Sequence, residues 1–454
     1  MMENISQFLD HIQKDNTALI VRRNGQPPEW SDAKWHQGVY ARNPELYALL
    51  ALVEKVQPWQ QVRILLQLLQ ASRAGMEGDR RRLHDRVVAV LLAILPGDRV
   101  LTVFLALRRL RANHKHTTRA IVNYILNHPY LEDLVSCRSP AVVDSLEHAL
   151  GLNVARACAK MLAEPKTEAT QIYLRRHLLR FARDGEWVKL NFPRLYDRGT
   201  SQTGNGNYQL IHTQYAEKLS GQELRPKTVT ATNRGDISAT LIHLYRGGKS
   251  AELEQAVRNY VAEAAGQLPR FSGKMALILD VSASTRSYGE REFCTLSQSV
   301  ALQLILEQCC QQLQVYIVGG SGFPPMPTGP TDLALALLDA IEKQPDLVAI
   351  VSDGYENYYP GDLERVVAAL PGCGVETPIL FCHSQFTPSD DLSLRSPASN
   401  LPQLEFWHQA DFESLLLSMF SRVDRPFAIA NLQEFLLQKL DRVEKELTPW
   451  TALN

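Results

Sequence analysis

Three short segments in the later part of the chain carry side chains suited to holding a hard cation. They are Asp280-Val-Ser282-Ala-Ser284, Thr331-Asp332 and Ser352-Asp353-Gly354. Each lies at the end of an apolar run or at the opening of the helical pattern that follows one. Magnesium demands near-octahedral oxygen ligation and keeps several waters, so hydroxyls plus carboxylate-held waters suit it. An Asp beside such a site can fix a water without touching the metal. These three segments are therefore candidates to hold Mg²⁺ or another divalent cation. The plainer alternative makes the same Ser and Asp residues helix N-caps. Three such segments in order, each after a strand, weigh against it.

The surrounding pattern explains how these segments meet. From Ser272 onward, MALILDV (275–281), LQVYIVGG (313–320), DLVAIVSDG (346–354), TPILFCHS (377–384) and LEFWH (404–408) have strand length. Helical patterns separate or follow them at 291–308, 331–343, 362–370 and 411–422. Nearly continuous apolar strands alternating with helices predict a parallel sheet covered on both faces. In such a doubly wound α/β domain a ligand site lies at the carboxyl ends of the strands. Residues 272–425 are read as this domain, and 426–454 as a helical tail.

Asp-Val-Ser-Ala-Ser, the later Thr331 and Asp353 resemble the metal-ion-dependent adhesion site of von Willebrand factor A (vWA) domains. That family places Asp-x-Ser-x-Ser, a Thr and an Asp on a Rossmann-like sheet, and the resemblance covers about 274–422. It implies that Ser282, Ser284 and Thr331 ligate directly. Asp280 and Asp353 would ligate directly or through water, and a partner protein's carboxylate would take the sixth position.

Residues 1–270 read differently. Helical spacing recurs at 44–55, 58–70, 83–95, 98–111, 117–127, 139–150, 152–163 and 170–183, broken by Pro, Gly and Ser. No fixed period emerges, so an irregular HEAT-like helical solenoid is expected and not a sharply defined repeat. Residues 184–236 form a long Gly-, Asn- and Thr-containing excursion, and two further helical patterns cover 237–246 and 249–266.

Charge divides the same way. Residues 271–454 hold 11 Lys and Arg against 23 Asp and Glu, a net −12, leaving the first 270 residues at +11. The basic half is the one suited to a polyanion. Arg108, Arg109, Arg111, Lys115 and Arg119, with Arg175 and Arg176, are the candidate phosphate contacts. Arg80–Arg82 with Arg86, and Arg180 with Arg183, are further basic segments. His114, His116, Trp187 and Tyr196 are candidates for stacking on unpaired bases. Each cluster also fits a solvated helix face whose aliphatic stems cover apolar surface.

A helical domain followed by a vWA-like domain resembles the TROVE/Ro ribonucleoprotein family. That resemblance implies binding of small structured or single-stranded RNA and no enzymatic activity. The rival reading is a vWA adaptor working with a MoxR-type AAA+ ATPase. A metal-dependent hydrolase is disfavoured, since no general base can be named. Two near-motifs fail: Arg246-Gly-Gly-Lys249-Ser250 lacks the first phosphate-loop glycine, where His243 stands. Gly319-Gly-Ser321-Gly-Phe323 lacks the last glycine of a nucleophile elbow and reads as a flexible strand-end loop. Seven scattered Cys, a polar N-terminus and no 18-residue apolar run predict a cytoplasmic protein with reduced core thiols and no membrane span.

Overall fold

The computed structural model describes residues 5–22, 25–128, 131–164, 167–197, 236–248, 251–322, 324–387 and 397–452. Most of the 184–236 excursion, along with Lys249, Ser250 and Phe323, lies outside them. The chain divides into two compact units. One comprises Met1–Glu3, Phe8–Ser220 and Leu436–Asn454; the other comprises Asn4–Gln7 and Gly221–Phe435.

The first unit is helical. Its elements are α1 (Ile5–Lys14), α2 (Ala33–Arg42), α3 (Pro44–Leu49), α4 (Pro58–Gln70), α5 (Gly78–Ile94), α6 (Gly97–Arg109), α7 (Lys115–Leu126), α8 (Leu131–Leu150), α9 (Leu152–Ala163), α10 (Glu168–His177) and α11 (Gly185–Asn191). Each packs chiefly on helices one or two places along: α4 on α5 and α6, α6 and α7 on α8, α8 on α9. α4 is buried all round, from Val62 through Leu69, as befits a central helix. Pro140 lies inside α8, and the backbone breaks two residues earlier at Arg138. Proline removes a helical donor and clashes with the preceding turn, which accounts for the kink.

The second unit holds a five-stranded, all-parallel sheet in the order β2-β1-β3-β4-β5. The strands are β1 (Phe271–Val281), β2 (Cys310–Gly319), β3 (Leu347–Ser352), β4 (Ile379–Ser384) and β5 (Gln403–Phe406). All five follow predicted apolar runs, and β1 begins four residues earlier than its run. Successive β1 side chains alternate between two cores. Met275, Leu277, Leu279 and Val281 pack with the helices Cys294–Cys309 and Phe412–Phe420. Ala276 and Ile278 face Leu333, Leu337, Leu363 and Val367 on the other side.

Ile237–Tyr245 and Ala251–Ala265 are helices, as their spacing predicts, but they pack on the helix Cys294–Cys309 that covers this sheet. Ile237, Leu241, Val257 and Val261 share a core with Leu277 and Val300. Helical spacing specifies an apolar face but not the surface that face meets.

Asp236 caps the first of these helices by accepting from the Ala239 amide. Burial raises its carboxyl from 3.8 to about 6 against that hydrogen bond. A folded-state value above the unfolded one favours the neutral form, so stability is lost as pH rises from about 4 to about 6. Asp236→Asn keeps a good cap and removes the buried charge. Its unfolding free energy at pH 7 is expected to exceed that of the wild type by on the order of 1–2 kcal/mol. Below pH 4, urea denaturation should show no gain, and a gain of equal size there would sink the assignment.

Among the described residues every cysteine is free. Cys158, Cys294, Cys309, Cys310 and Cys382 are buried, whereas Cys373 is exposed on a surface turn and is not a core thiol. No described helix is long and apolar enough to cross a membrane.

Candidate metal centre and basic surface

The predicted metal ligands converge at the carboxyl ends of β1 and β3. β1 runs straight into Asp280, which is fully buried. One carboxylate oxygen accepts from the Ser282 amide at 2.9 Å, and the other accepts from Ser352 Oγ at 2.6 Å. Ser282 Oγ lies 3.0 Å from Ser284 Oγ and accepts from Thr331 Oγ1 at 2.7 Å. Thr331 is fully buried and Asp353 nearly so, its Oδ1 accepting from the Tyr355 amide at 3.1 Å. Three hydroxyls and two carboxylates thus meet at one sheet edge.

Burial pushes the Asp280 carboxyl up to about 6, and the neighbouring Asp353 charge pushes the same way. The donors that Asp280 meets are a hydroxyl and an amide, not a cationic side chain. An all-oxygen set with two carboxylates in proximity fits a hard divalent cation and leaves little to hold a soft one.

The backbone that places Thr331 depends on glycine. The Gly320 amide and the Thr328 amide both donate to the Val281 carbonyl, and the Ala283 amide donates to the Gly329 carbonyl. A Cβ on Gly320 would lie 1.9 Å from the Met326 carbonyl oxygen, and one on Gly319 would lie 2.7 Å from Ser282 Cα. The stretch expected to be a flexible loop is, at these two glycines, a close backbone approach against the site. Ser352 and the surrounding aromatics are not among the predicted site residues. Ser352 fixes Asp280 through its hydroxyl. Tyr288, Tyr355, Tyr358 and Tyr359 are all exposed and flank the same loops, with the Tyr358 amide bonded to the Thr331 carbonyl. Glu356 holds this Tyr-rich loop by accepting from the Gly361 and Leu363 amides. Three of the four tyrosines flag themselves in sequence as YENYY after the Ser-Asp-Gly segment.

The predicted basic residues fall into two groups. Arg111, Lys115 and Arg119 are exposed, with Lys115 and Arg119 one turn apart on α7. Arg175 and Arg176 are exposed in the last turn of α10. None of these five has an ion pair among the described residues. Arg108 instead pairs with Asp144, and Arg109 donates to the Arg22 carbonyl. Arg80 pairs with Glu45, Arg82 with Asp79, and Arg86 with both Asp441 and Glu444. Arg86 therefore ties α5 to the C-terminal helix (Pro426–Ala452), an attachment that local spacing does not reveal.

The proposed stacking residues are half withdrawn. His114 bonds the Gln70 carbonyl and its ring lies parallel to that of His116. Burial, with Arg73 nearby, lowers His116 to about 4, so it stays neutral near pH 7. Tyr196 is pushed well up by burial. These rings pack between helices and offer little free face to a base.

A second acidic cluster lies in the helical unit. His11 Nε2 sits 2.7 Å from Asp32 Oδ2 and 3.7 Å from Asp15 Oδ2. These three residues could by spacing hold a metal ion. A cationic side chain already lies beside them, however. Fully buried Arg63 places Nε 3.2 Å from Asp32 Oδ1 and Nη1 3.6 Å from Asp15 Oδ2. Gln60 Nε2 donates to Asp32 at 3.0 Å and Asp15 at 3.3 Å. Burial alone would raise Asp32, yet hydrogen bonds from His36 and His11 hold it far below the usual carboxylate range. The group is a buried charge network that joins α1, α2 and α4.

No protein-family model matches the chain, and no curated protein matches it. Among solved structures, the chain is similar to the crystal structure of the Deinococcus radiodurans Ro (RSR) protein. The identity is 11%, the match covers 95% of this chain and 99% of that one, and the TM-score is 0.36.

Proposed function

We propose that this chain is a cytoplasmic, non-enzymatic RNA-binding protein of the TROVE/Ro kind. Its helical unit would act as an irregular solenoid that holds RNA, and its sheet unit as a vWA domain with a Mg²⁺-dependent partner site. The observation that carries the RNA reading is the set of exposed cations Arg111, Lys115, Arg119, Arg175 and Arg176, which have no ion pair among the described residues. A cation that spends no charge on a neighbouring carboxylate is available to a phosphate. Arg and Lys at such positions give affinity with little sequence readout.

The metal reading rests on the oxygen-only cluster. Ser282, Ser284 and Thr331 would hold the ion directly, with Asp280 and Asp353 holding it directly or through water. Bound there, Mg²⁺ would supply a positive centre that a partner carboxylate can complete. Ser352 keeps Asp280 aimed, and buried surroundings limit competing water. The four exposed tyrosines flanking these loops support a protein partner, since tyrosine is enriched at the cores of protein interfaces.

Purification gives the first test. The full chain isolated at low salt is expected to carry nucleic acid, read as a raised 260/280 nm absorbance ratio that ribonuclease removes. A ratio typical of protein alone, unchanged by ribonuclease, would count against RNA binding.

A further inference from the structure

The outer edge of the sheet is built unlike the edges that proteins normally protect. An edge strand offers a row of unpaired amides and carbonyls to any other strand. Short length, Lys, Pro or a bulge usually blunts it. At the far edge, β5 has only four residues. β2, at the near edge, has ten: Cys-Gln-Gln-Leu-Gln-Val-Tyr-Ile-Val-Gly. It contains no charged residue and no proline, and its register with β1 is unbroken from Lys274 to Val281. Among the described residues only β1 pairs with it.

Apolar surface flanks this open edge. Ile317 on β2 is 43% exposed, and Leu335 and Leu338 on the adjacent helix Leu333–Glu342 are 57% and 48% exposed. That helix packs on the Ala276 and Ile278 face of the sheet, whereas Ile317, in register with Leu279, lies on the opposite face, so apolar surface is exposed on both faces beside this edge. Gln311, Gln312 and Gln314 are exposed along the strand or nearly so. Glutamine can bond another glutamine across a strand pair without charge repulsion.

We propose that β2 is a self-association surface, on which a second copy of this chain pairs its own β2 antiparallel across a two-fold axis. Three features favour a second copy over a foreign strand. An uncharged strand gives a foreign partner no charge by which to steer or discriminate. Two identical uncharged strands meet with no like-charge clash. Isologous pairing of two long edges also closes on itself and consumes both. Head-to-tail pairing of β2 with β5 would match ten residues to four and leave an open filament. A two-fold axis normal to the sheet sets one residue opposite its own copy; with the axis at Gln314, Gln314 faces its counterpart, Gln312 faces Tyr316 and Leu313 faces Val315.

Light scattering on the full chain tests this. The wild type at about 50 μM is expected at twice the single-chain mass of 51.1 kDa, a mass not lost at high salt because the paired strands themselves hold no charge. Gln312→Lys/Gln314→Lys gathers four like charges around the axis and should run at the single-chain mass, with an unchanged melting temperature. Gln312→Glu/Gln314→Glu should do the same. Mixing the two variants should restore the double mass, which a merely structural effect of either change would not do. A single-chain mass for the wild type, or a double mass that persists in the Lys variant alone, overturns the proposal.

Discussion

Asp280→Asn is expected to abolish Mg²⁺ binding while leaving the fold as stable as the wild type in chelator, or more so. Asparagine preserves the size of the side chain and an oxygen for the Ser282 amide, which donates at 2.9 Å, and its Nδ2 can donate to the Ser352 hydroxyl that now donates to the carboxylate at 2.6 Å. It removes the negative charge on which a divalent cation depends. The stability expectation follows from sign: burial and the Asp353 charge both raise the Asp280 carboxyl, to about 6. With a folded value above the unfolded one, ionisation of Asp280 without metal costs stability as pH rises from about 4 to about 6. The neutral amide escapes that cost. Calorimetric titration with Mg²⁺ and Mn²⁺ should give heats for the wild type and none for the variant. A thermal melt should show the wild type gaining stability with Mg²⁺, by about 2.7 kcal/mol at a hundredfold excess over Kd, and the variant gaining none. Equal Mg²⁺ heats in both would remove Asp280 from the site.

Arg63→Leu is expected to destabilise the helical unit by about 3–5 kcal/mol. Replacing one member of a buried ion network strands the charge of the others. Arg63 is fully buried, and Asp32 and Asp15 lie 3.2 and 3.6 Å from its nitrogens. Leucine would fill part of the volume but leave the two carboxylates without their guanidinium, with His11, His36, Gln60 and Thr17 as the remaining partners. Adding Asp32→Asn and Asp15→Asn to Arg63→Leu should recover much of the loss, because the stranded charge is then gone. Urea denaturation of the wild type, the single variant and the triple variant settles this. A loss under about 1 kcal/mol for Arg63→Leu would mean that the network is solvated, where ion pairs are worth little, and not a buried charge cluster.

Asp280 and Arg63 differ in how visible they are in sequence. The Asp280 site is written in three local signals: an apolar run ending in Asp-x-Ser-x-Ser, a Thr opening a helix, and a run ending in Ser-Asp-Gly. Each strand is buried on both faces, so its apolar run is nearly continuous, and parallel pairing brings the strand ends to one edge. The Arg63 network has no such signal. His11, Asp15, Asp32, His36, Gln60 and Arg63 come from α1, α2, α4 and the turns beside them. Each looks alone like an ordinary polar residue on an amphipathic helix. Only the packing of those helices brings them together. The same limit applies to the basic residues. Spacing singles out Arg108 and Arg86 as readily as Arg111 and Arg119, yet Asp144, Asp441 and Glu444 claim the first two from positions remote in sequence. Charge in a sequence counts cations, whereas a phosphate meets only those left unpaired on the surface.

The tyrosines beside the metal edge and the glycines behind it show a related effect. Gly319 and Gly320 suggest flexibility when read as a string, but the backbone of Ser282 and Met326 comes too close for any side chain there. Close approach is a property of two chain segments, and a sequence displays one segment at a time.

The measurement that bears most directly on the RNA reading is the salt dependence of binding. A fluorescent single-stranded RNA is titrated with the full chain from 50 to 300 mM salt. The same titration is run on the variant with Arg111, Lys115, Arg119, Arg175 and Arg176 replaced by Gln. The wild type should bind with affinity that falls steeply and log-linearly with salt. The variant's slope should flatten by roughly 0.7 for each phosphate that it no longer neutralises, with weaker affinity at every salt concentration. An identical slope and affinity in the two proteins, or no RNA binding by the wild type at 50 mM salt, would contradict the account.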